Sequence, residues 1–362
     1  MIWAGYSRRQ DQQNIVAASR CTRKRRKRPN LAVFFRRWQN TLKPILIAAK
    51  CIDRKLILTS DARISVRRVG SSRRKAIGTT ESQRTELSPR EKVAASARIV
   101  VKIGTNVLMR DDGGVSIGAF YGIAESLANF RRAGREVLLV SSGAVGLGVQ
   151  RLELSARPSE LAVVQACAAV GQSRLMSMYD DAFEKLGFRV AQVLLTEDDF
   201  LDSRRHENLR ATLTTLLQLG VIPVINENDT VSTAELDSPA GGPERVRVFG
   251  DNDKLSALVM THIDADLLVL LSDVDGLYTD DPQSKGATLI PELDSLDERV
   301  RRFARRGNGR GRGGMETKLE AVRIANEVGR PAIIANGRTP GILDTILAGK
   351  PVGTLFSPRK RR

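Results

Sequence analysis

From residue 95 onward, apolar runs of strand length alternate with stretches whose apolar residues recur every three to four positions. The runs fall at 99–103, 136–140, 189–195, 221–225, 267–271, 331–335 and 354–356. Helical spacing fills 119–132, 161–186, 204–219, 255–261 and 315–328, and a short helix is expected near 341–347. Strands that look apolar on both sides, alternating with helices, predict an α/β fold. Its sheet should be mostly parallel, with helices on both faces. Ligands of such sheets bind beyond the carboxyl ends of the strands, so the loops at those ends carry the functional question.

Five of these loops are rich in Gly, Ser, Asn and Asp. They are Gly104-Thr105-Asn106, Ser141-Ser142-Gly143-Ala144, Asn226-Glu227-Asn228-Asp229, Gly250-Asp251-Asn252-Asp253 and Ser272-Asp273-Val274-Asp275-Gly276. One such loop is ordinary turn chemistry; five at corresponding strand ends point to a shared site. Lys102 ends the first apolar run. Lys318 follows the glycine-rich stretch 307–314 at the start of a helical pattern. Each places a cation beside backbone N–H groups suited to phosphate, and together they suggest a device that holds and moves a phosphoryl group.

Charge divides the chain. Residues 1–94 hold 24 Lys and Arg against 6 Asp and Glu, whereas the remainder holds 34 against 35. The basic segment is irregular and includes Arg23-Lys24-Arg25-Arg26-Lys27-Arg28. Three readings of it stand open: an arm for nucleic acid, an Arg- and Ser-rich transit peptide, or an upstream frame translated from an early start. We expect 1–94 to be a basic extension without a packed core and 95–358 to be the catalytic domain. Nucleic acid is not expected as a partner of that domain.

Cys21, Cys51 and Cys167 form no CxxC pair, so neither a disulfide framework nor a zinc site is expected, and a reducing, cytoplasmic setting fits. The two histidines, His206 and His262, stand in no nucleophile motif and read as surface or helix residues. No apolar stretch is long enough to span a membrane. Gly309-x-Gly311-x-x-Gly314 follows no strand, so it is a poor dinucleotide fingerprint, and there is no Walker A lysine. Gly146-x-Gly148 reads as helix-end geometry, and Asp198 and Asp199 as caps of the following helix.

Taken in order, several strings resemble the amino acid kinase family over residues 98–356. They are Val101-Lys102-Ile103-Gly104-Thr105-Asn106, Ser142-Gly143-Ala144, Gly171-Gln172-Ser173, Ile225 to Asp229, Gly250 to Asp253, Asp273 with Gly276-Leu277-Tyr278-Thr279, Gly313-Gly314-Met315 with Thr317-Lys318, and Val352 to Phe356. Within that family the likeness is to members that phosphorylate glutamate. The resemblance implies a three-layer αβα sandwich around a mostly parallel sheet. It implies transfer of the γ-phosphoryl of ATP, with Mg²⁺, to the side-chain carboxylate of L-glutamate, the first step toward proline. Ser142, Asp229 and Asn252 would contact glutamate. Lys102, Ser272, Asp273 and the run Arg312, Gly313, Gly314, Met315, Glu316, Thr317 and Lys318 would contact ATP. Lys102 and Lys318 would stabilise the migrating phosphoryl, with Asp253 and Asp251 organising them and Mg²⁺. A homo-oligomer and a functional partner, glutamyl 5-phosphate reductase, are also implied, in a short form without the C-terminal PUA domain of many relatives. Aspartate, acetylglutamate or uridylate kinase activity on the same fold is the alternative, as is nucleic-acid binding through the basic arm. Three features depart from the family pattern: a long loop from Thr230 to Phe249, Arg312 where a small hydroxyl residue is usual, and Glu316 where serine is usual.

Overall fold

The computed structural model describes residues 87–196, 198–231, 252–306 and 314–358. Expectations for the extension up to residue 86, for Asp251, Arg312 and Gly313, and for the loop beyond Val231 lie outside the described residues.

The expected runs form strands β1 (Arg98–Ile103), β2 (Glu136–Ser141), β3 (Val190–Leu195), β4 (Ile222–Glu227), β5 (Leu267–Ser272), β7 (Ala332–Asn336) and β8 (Thr354–Phe356), joined by a short β6 (Glu292–Leu293). They make one eight-stranded sheet in the order β3-β4-β2-β1-β5-β7-β8-β6. The pairs β3–β4, β4–β2, β2–β1, β1–β5, β5–β7 and β8–β6 are parallel, and β7–β8 is antiparallel. Because β1, β2, β3, β4, β5 and β7 all run the same way, their carboxyl ends share one edge of the sheet.

The helices are α1 (Pro89–Ala94), α2 (Thr105–Leu108), α3 (Ile117–Arg132), α4 (Ala144–Arg151), α5 (Leu161–Lys185), α6 (Asp198–Leu201), α7 (Ser203–Gln218), α8 (Asn252–His262), α9 (Glu298–Arg306), α10 (Met315–Glu327) and α11 (Ile342–Leu347). Strand side chains alternate between faces, and β1 shows what that does. Ile99, Val101 and Ile103 enter a core with Leu127, Tyr179, Phe183 and Ile346 from α3, α5 and α11. Val100 enters the opposite core with Leu213, Met260 and Val322 from α7, α8 and α10. The result is the expected three-layer αβα arrangement. Lys102 is in phase with Val100, so its ammonium faces the α8 and α10 layer.

Helices α4 and α5 touch through their backbones. A Cβ added to Gly148 would lie 1.8 Å from the Cys167 carbonyl oxygen, and one added to Gly171 would lie 1.7 Å from that of Ala144. Glycine inside a helix costs up to about 1 kcal/mol against alanine, and here its bare surface is what permits the contact. Gly148 is therefore a helix-crossing residue inside α4, not a helix end. The cap of α7 is Asp202, whose side chain accepts from the Arg205 N–H at 2.9 Å. Asp199 instead accepts from the Thr196 N–H at 2.7 Å.

Helix α1 lies on the amino side of the boundary drawn at residue 94. Ser88 and Glu91 form a capping box, and Val93 is fully buried. The Arg90 guanidinium donates to the carbonyl oxygens of Val352 at 2.9 Å and Pro291 at 2.8 Å, tying α1 to the β6–β8 edge. A chain shortened to begin at Ser88 should keep these contacts. One shortened to begin at Ala95 should lose roughly 3 kcal/mol, from one buried valine and charge-assisted hydrogen bonds. Urea unfolding of the two shortened chains measures the difference; equal midpoints would show that α1 contributes nothing.

Candidate functional site

Lys102, Asp253 and Lys318 meet on the α8 and α10 side of the sheet edge. The Lys102 ammonium lies 2.6 Å from one Asp253 carboxylate oxygen, and the Lys318 ammonium lies 3.3 Å from the other. The Thr317 hydroxyl donates to that second oxygen at 2.9 Å. The three charged side chains are 4 %, 0 % and 6 % exposed for Lys102, Asp253 and Lys318 respectively. Burial pushes the Asp253 carboxyl upward, but the two lysines outweigh it and hold the group below its ordinary value. Two ammonium groups in so dry a setting are placed where electrostatic attraction for a phosphate is strong.

Local sequence explains how these groups arrive. β1 is followed directly by Gly104, whose N–H donates to the Leu271 carbonyl at 3.1 Å and whose added Cβ would approach that oxygen to 3.3 Å. Gly314 is the N-cap of α10, so Met315, Glu316, Thr317 and Lys318 make up its first turn. A helix start presents unpaired N–H groups to an anion.

Asn252 and Asp253 open α8 and link this cluster to a second one. Asn252 donates its amide to the Ser142 hydroxyl at 2.8 Å and to the Asn226 side-chain oxygen at 2.9 Å. Asn226 in turn donates to Gln172 at 2.9 Å. Ser142 is held by a turn that needs Gly143 at φ 107°, a left-handed conformation that lets β2 pass straight into α4. Gln172 and Asn226 are buried, at 8 % and 2 % exposure. The Gln172 amide nitrogen and the Asn252 amide oxygen have no hydrogen-bond partner among the described residues. Buried polar groups are seldom left unmatched, so one donor and one acceptor stand ready in a single network. Asp229 lies two residues beyond β4 at the same sheet edge and is partly buried.

A third group joins the ends of β1 and β5. Asp273 accepts from Asn106 at 2.8 Å and from the buried Ser272 hydroxyl at 3.1 Å. Burial raises the Asp273 carboxyl, but the Asn106 hydrogen bond and its companions bring it below the ordinary value.

The sequence strings include Gln172, Asn226 and Asn106 but give none of them a role. Gln172 could have been given one as a polar residue on the helix stripe that runs through Ala168, Gly171 and Leu175. Asn226 is the polar residue that ends the apolar run of β4.

The histidines lie elsewhere. His262 closes α8, about 15 Å along the helix from Asn252. Its Nδ1 is 2.7 Å from Nε2 of His206 on α7. Burial lowers the His262 pKa to about 4, with His206 and Arg210 adding to the fall and Asp264 opposing it. Unfolded, the ring titrates near 6.5. The folded value is the lower one, so the unfolded state binds the proton first, and stability is lost as pH falls from about 6.5 to about 4. Urea unfolding across that window should show a smaller loss for His262→Gln than for the parent chain; identical slopes would refute this.

Residues 97–336 match the sequence profile of the amino acid kinase family. The glutamate 5-kinase of Geobacter metallireducens is 46 % identical over 265 residues, covering 73 % of this chain and 68 % of that protein. The glutamate 5-kinase of Thermus thermophilus is 47 % identical over 268 residues, covering 74 % of this chain and 69 % of its own length. Among solved structures, an isopentenyl phosphate kinase superimposes with a TM-score of 0.50 at 17 % identity, covering 72 % of this chain and all of that one; this likeness concerns the fold alone. The chain belongs to the amino acid kinase family, in its glutamate 5-kinase branch.

Proposed function

We propose that the protein transfers the γ-phosphoryl of ATP to the side-chain carboxylate of L-glutamate, forming glutamyl 5-phosphate on the route to proline. The observation that carries this reading is the pair of buried lysines sharing Asp253, one step along α8 from the Ser142–Asn252–Asn226–Gln172 network.

The chemistry suits these residues. A glutamate side chain titrates near ~4.3 and is already an anionic nucleophile at neutral pH, so no histidine base is required. What the reaction requires is that a carboxylate approach a polyphosphate. Lys102 and Lys318 offset the charge on the transferring group, and the N–H groups at the start of α10 add to this. The unmatched Gln172 donor and Asn252 acceptor suit the α-carboxylate and α-ammonium of an amino acid, with Ser142 hydrogen-bonded to Asn252 and Asp229 at the same sheet edge. Ser272 and Asp273, with Gly314 to Lys318, form the nucleotide side.

Mg²⁺ would supply further neutralisation between the phosphates. Among the described residues there is no cluster of three or more His, Cys, Asp or Glu side chains able to hold a metal ion. Asp253 is committed to the lysines. That donor set fits an ion that arrives with the nucleotide and keeps much of its water, as Mg²⁺ commonly does; the resemblance adds Asp251, which lies outside the described residues. Among the described residues no helix is long and apolar enough to cross a membrane. We read the protein as a cytoplasmic homo-oligomer whose reactive acyl phosphate passes to glutamyl 5-phosphate reductase.

The test is a substrate panel with ATP and Mg²⁺ in which hydroxylamine traps any acyl phosphate. Hydroxamate should form with glutamate. Product from aspartate, acetylglutamate or a nucleotide, with none from glutamate, would overturn the proposal.

A further inference from the structure

On the sheet face away from Lys318, a cleft of about 290 Å³ opens between α3 and the turn that leads from β7 into α11. Its size is set by missing side chains. A Cβ placed on Gly118, Gly122 or Gly341 would meet nothing within 4 Å. The volume sits at the lower end of small-molecule sites, which start near ~300 Å³.

The polar lining carries both signs of charge. Arg338 is held by one edge: its Nε donates to the Asn106 carbonyl at 2.9 Å. Among the described residues, its outer nitrogens have only a fully exposed carboxylate, Asp111, at 3.7 Å. Asp344 accepts from the buried Ser126 hydroxyl at 2.5 Å through one carboxylate oxygen. The other oxygen has no hydrogen-bond partner among the described residues. Glu125 adds a second carboxylate to the lining. A guanidinium with a fixed inner edge is suited to a carboxylate. A carboxylate steadied by a serine retains acceptor positions for an ammonium. Two carboxylates in the wall disfavour a phosphate or other polyanion, and Arg338 disfavours a bare cation.

We propose that this cleft is a binding site for a small zwitterion, with the ligand carboxylate on Arg338 and the ligand ammonium on Asp344. The site lies on the opposite face of the sheet from the paired lysines and is separate from the glutamate site.

Calorimetric titration tests this on the full chain saturated with a non-hydrolysable ATP analogue and without glutamate, which carries the same two charges and would compete for the cleft. Binding at the catalytic site is told apart because it does not respond to Arg338→Gln or Asp344→Asn. Glycine, β-alanine and γ-aminobutyrate serve as probes because they offer the two charges at increasing separation. At least one should bind saturably in the millimolar range. Arg338→Gln and Asp344→Asn should each weaken that binding by at least about tenfold, the size of one charge-assisted hydrogen bond. Asp344→Asn should leave glutamate turnover unchanged. Acetate and methylammonium, each carrying half of the pattern, should bind far more weakly. Failure of all three zwitterions, equal binding by both variants, or acetate binding as well as the zwitterions would overturn the proposal.

Discussion

Lys102→Ala and Lys318→Ala are each expected to lower kcat by about 10²–10³-fold while leaving the KM for glutamate close to that of the parent chain. The reason lies in where the ammonium groups point. Both rest on Asp253 on the α8 and α10 side of the sheet, whereas the unmatched amide atoms belong to the neighbouring network. Removing either lysine takes away charge needed when the phosphoryl is between donor and acceptor and leaves the amino-acid contacts in place. Arginine should not restore activity at position 102, because a planar fork cannot replace a compact ammonium between two strands and a buried carboxylate. Steady-state kinetics with glutamate and ATP varied separately give the answer. A kcat within a few-fold of the parent value in either variant would remove that lysine from the phosphoryl site.

Asp253→Asn is expected to be the costliest single change to stability within the site. The amide keeps the shape and an oxygen for Thr317 but removes the charge on which both buried ammonium groups rest. Removing one partner from a buried ion pair costs roughly 3–5 kcal/mol. Urea unfolding at pH 7 would show this loss; a parental midpoint would mean that Asp253 does not balance the lysines.

Much of this arrangement was legible in the sequence because strand periodicity is a strong signal. The seven apolar runs became seven strands, and the alternation in β1 directs Lys102 toward the layer that supplies Asp253 and Lys318. The four acceptor loops after β1, β2, β4 and β5 end at one sheet edge because those strands are parallel. What stayed hidden depended on partners distant in sequence. Gly148 shows its purpose only against Cys167, since a glycine near a helix end and a glycine at a helix crossing look alike in one dimension. Gln172 sits inside a long helix, where its register is clear but its neighbour Asn226 is not. Helix α1 begins with proline in a basic context, which masked the buried Val93. β6 has two residues, too few for a period to register.

The crossing of α4 and α5 has a consequence for ligand selection. Ser142 stands two residues before α4, and Gln172 directly follows Gly171. Their separation is thus gauged by two peptide backbones in direct contact, which cannot be compressed, rather than by side-chain rotamers that could adjust. The opening offered to an amino acid should keep its width through thermal motion, and it should resist being retuned by any substitution that leaves those two glycines untouched.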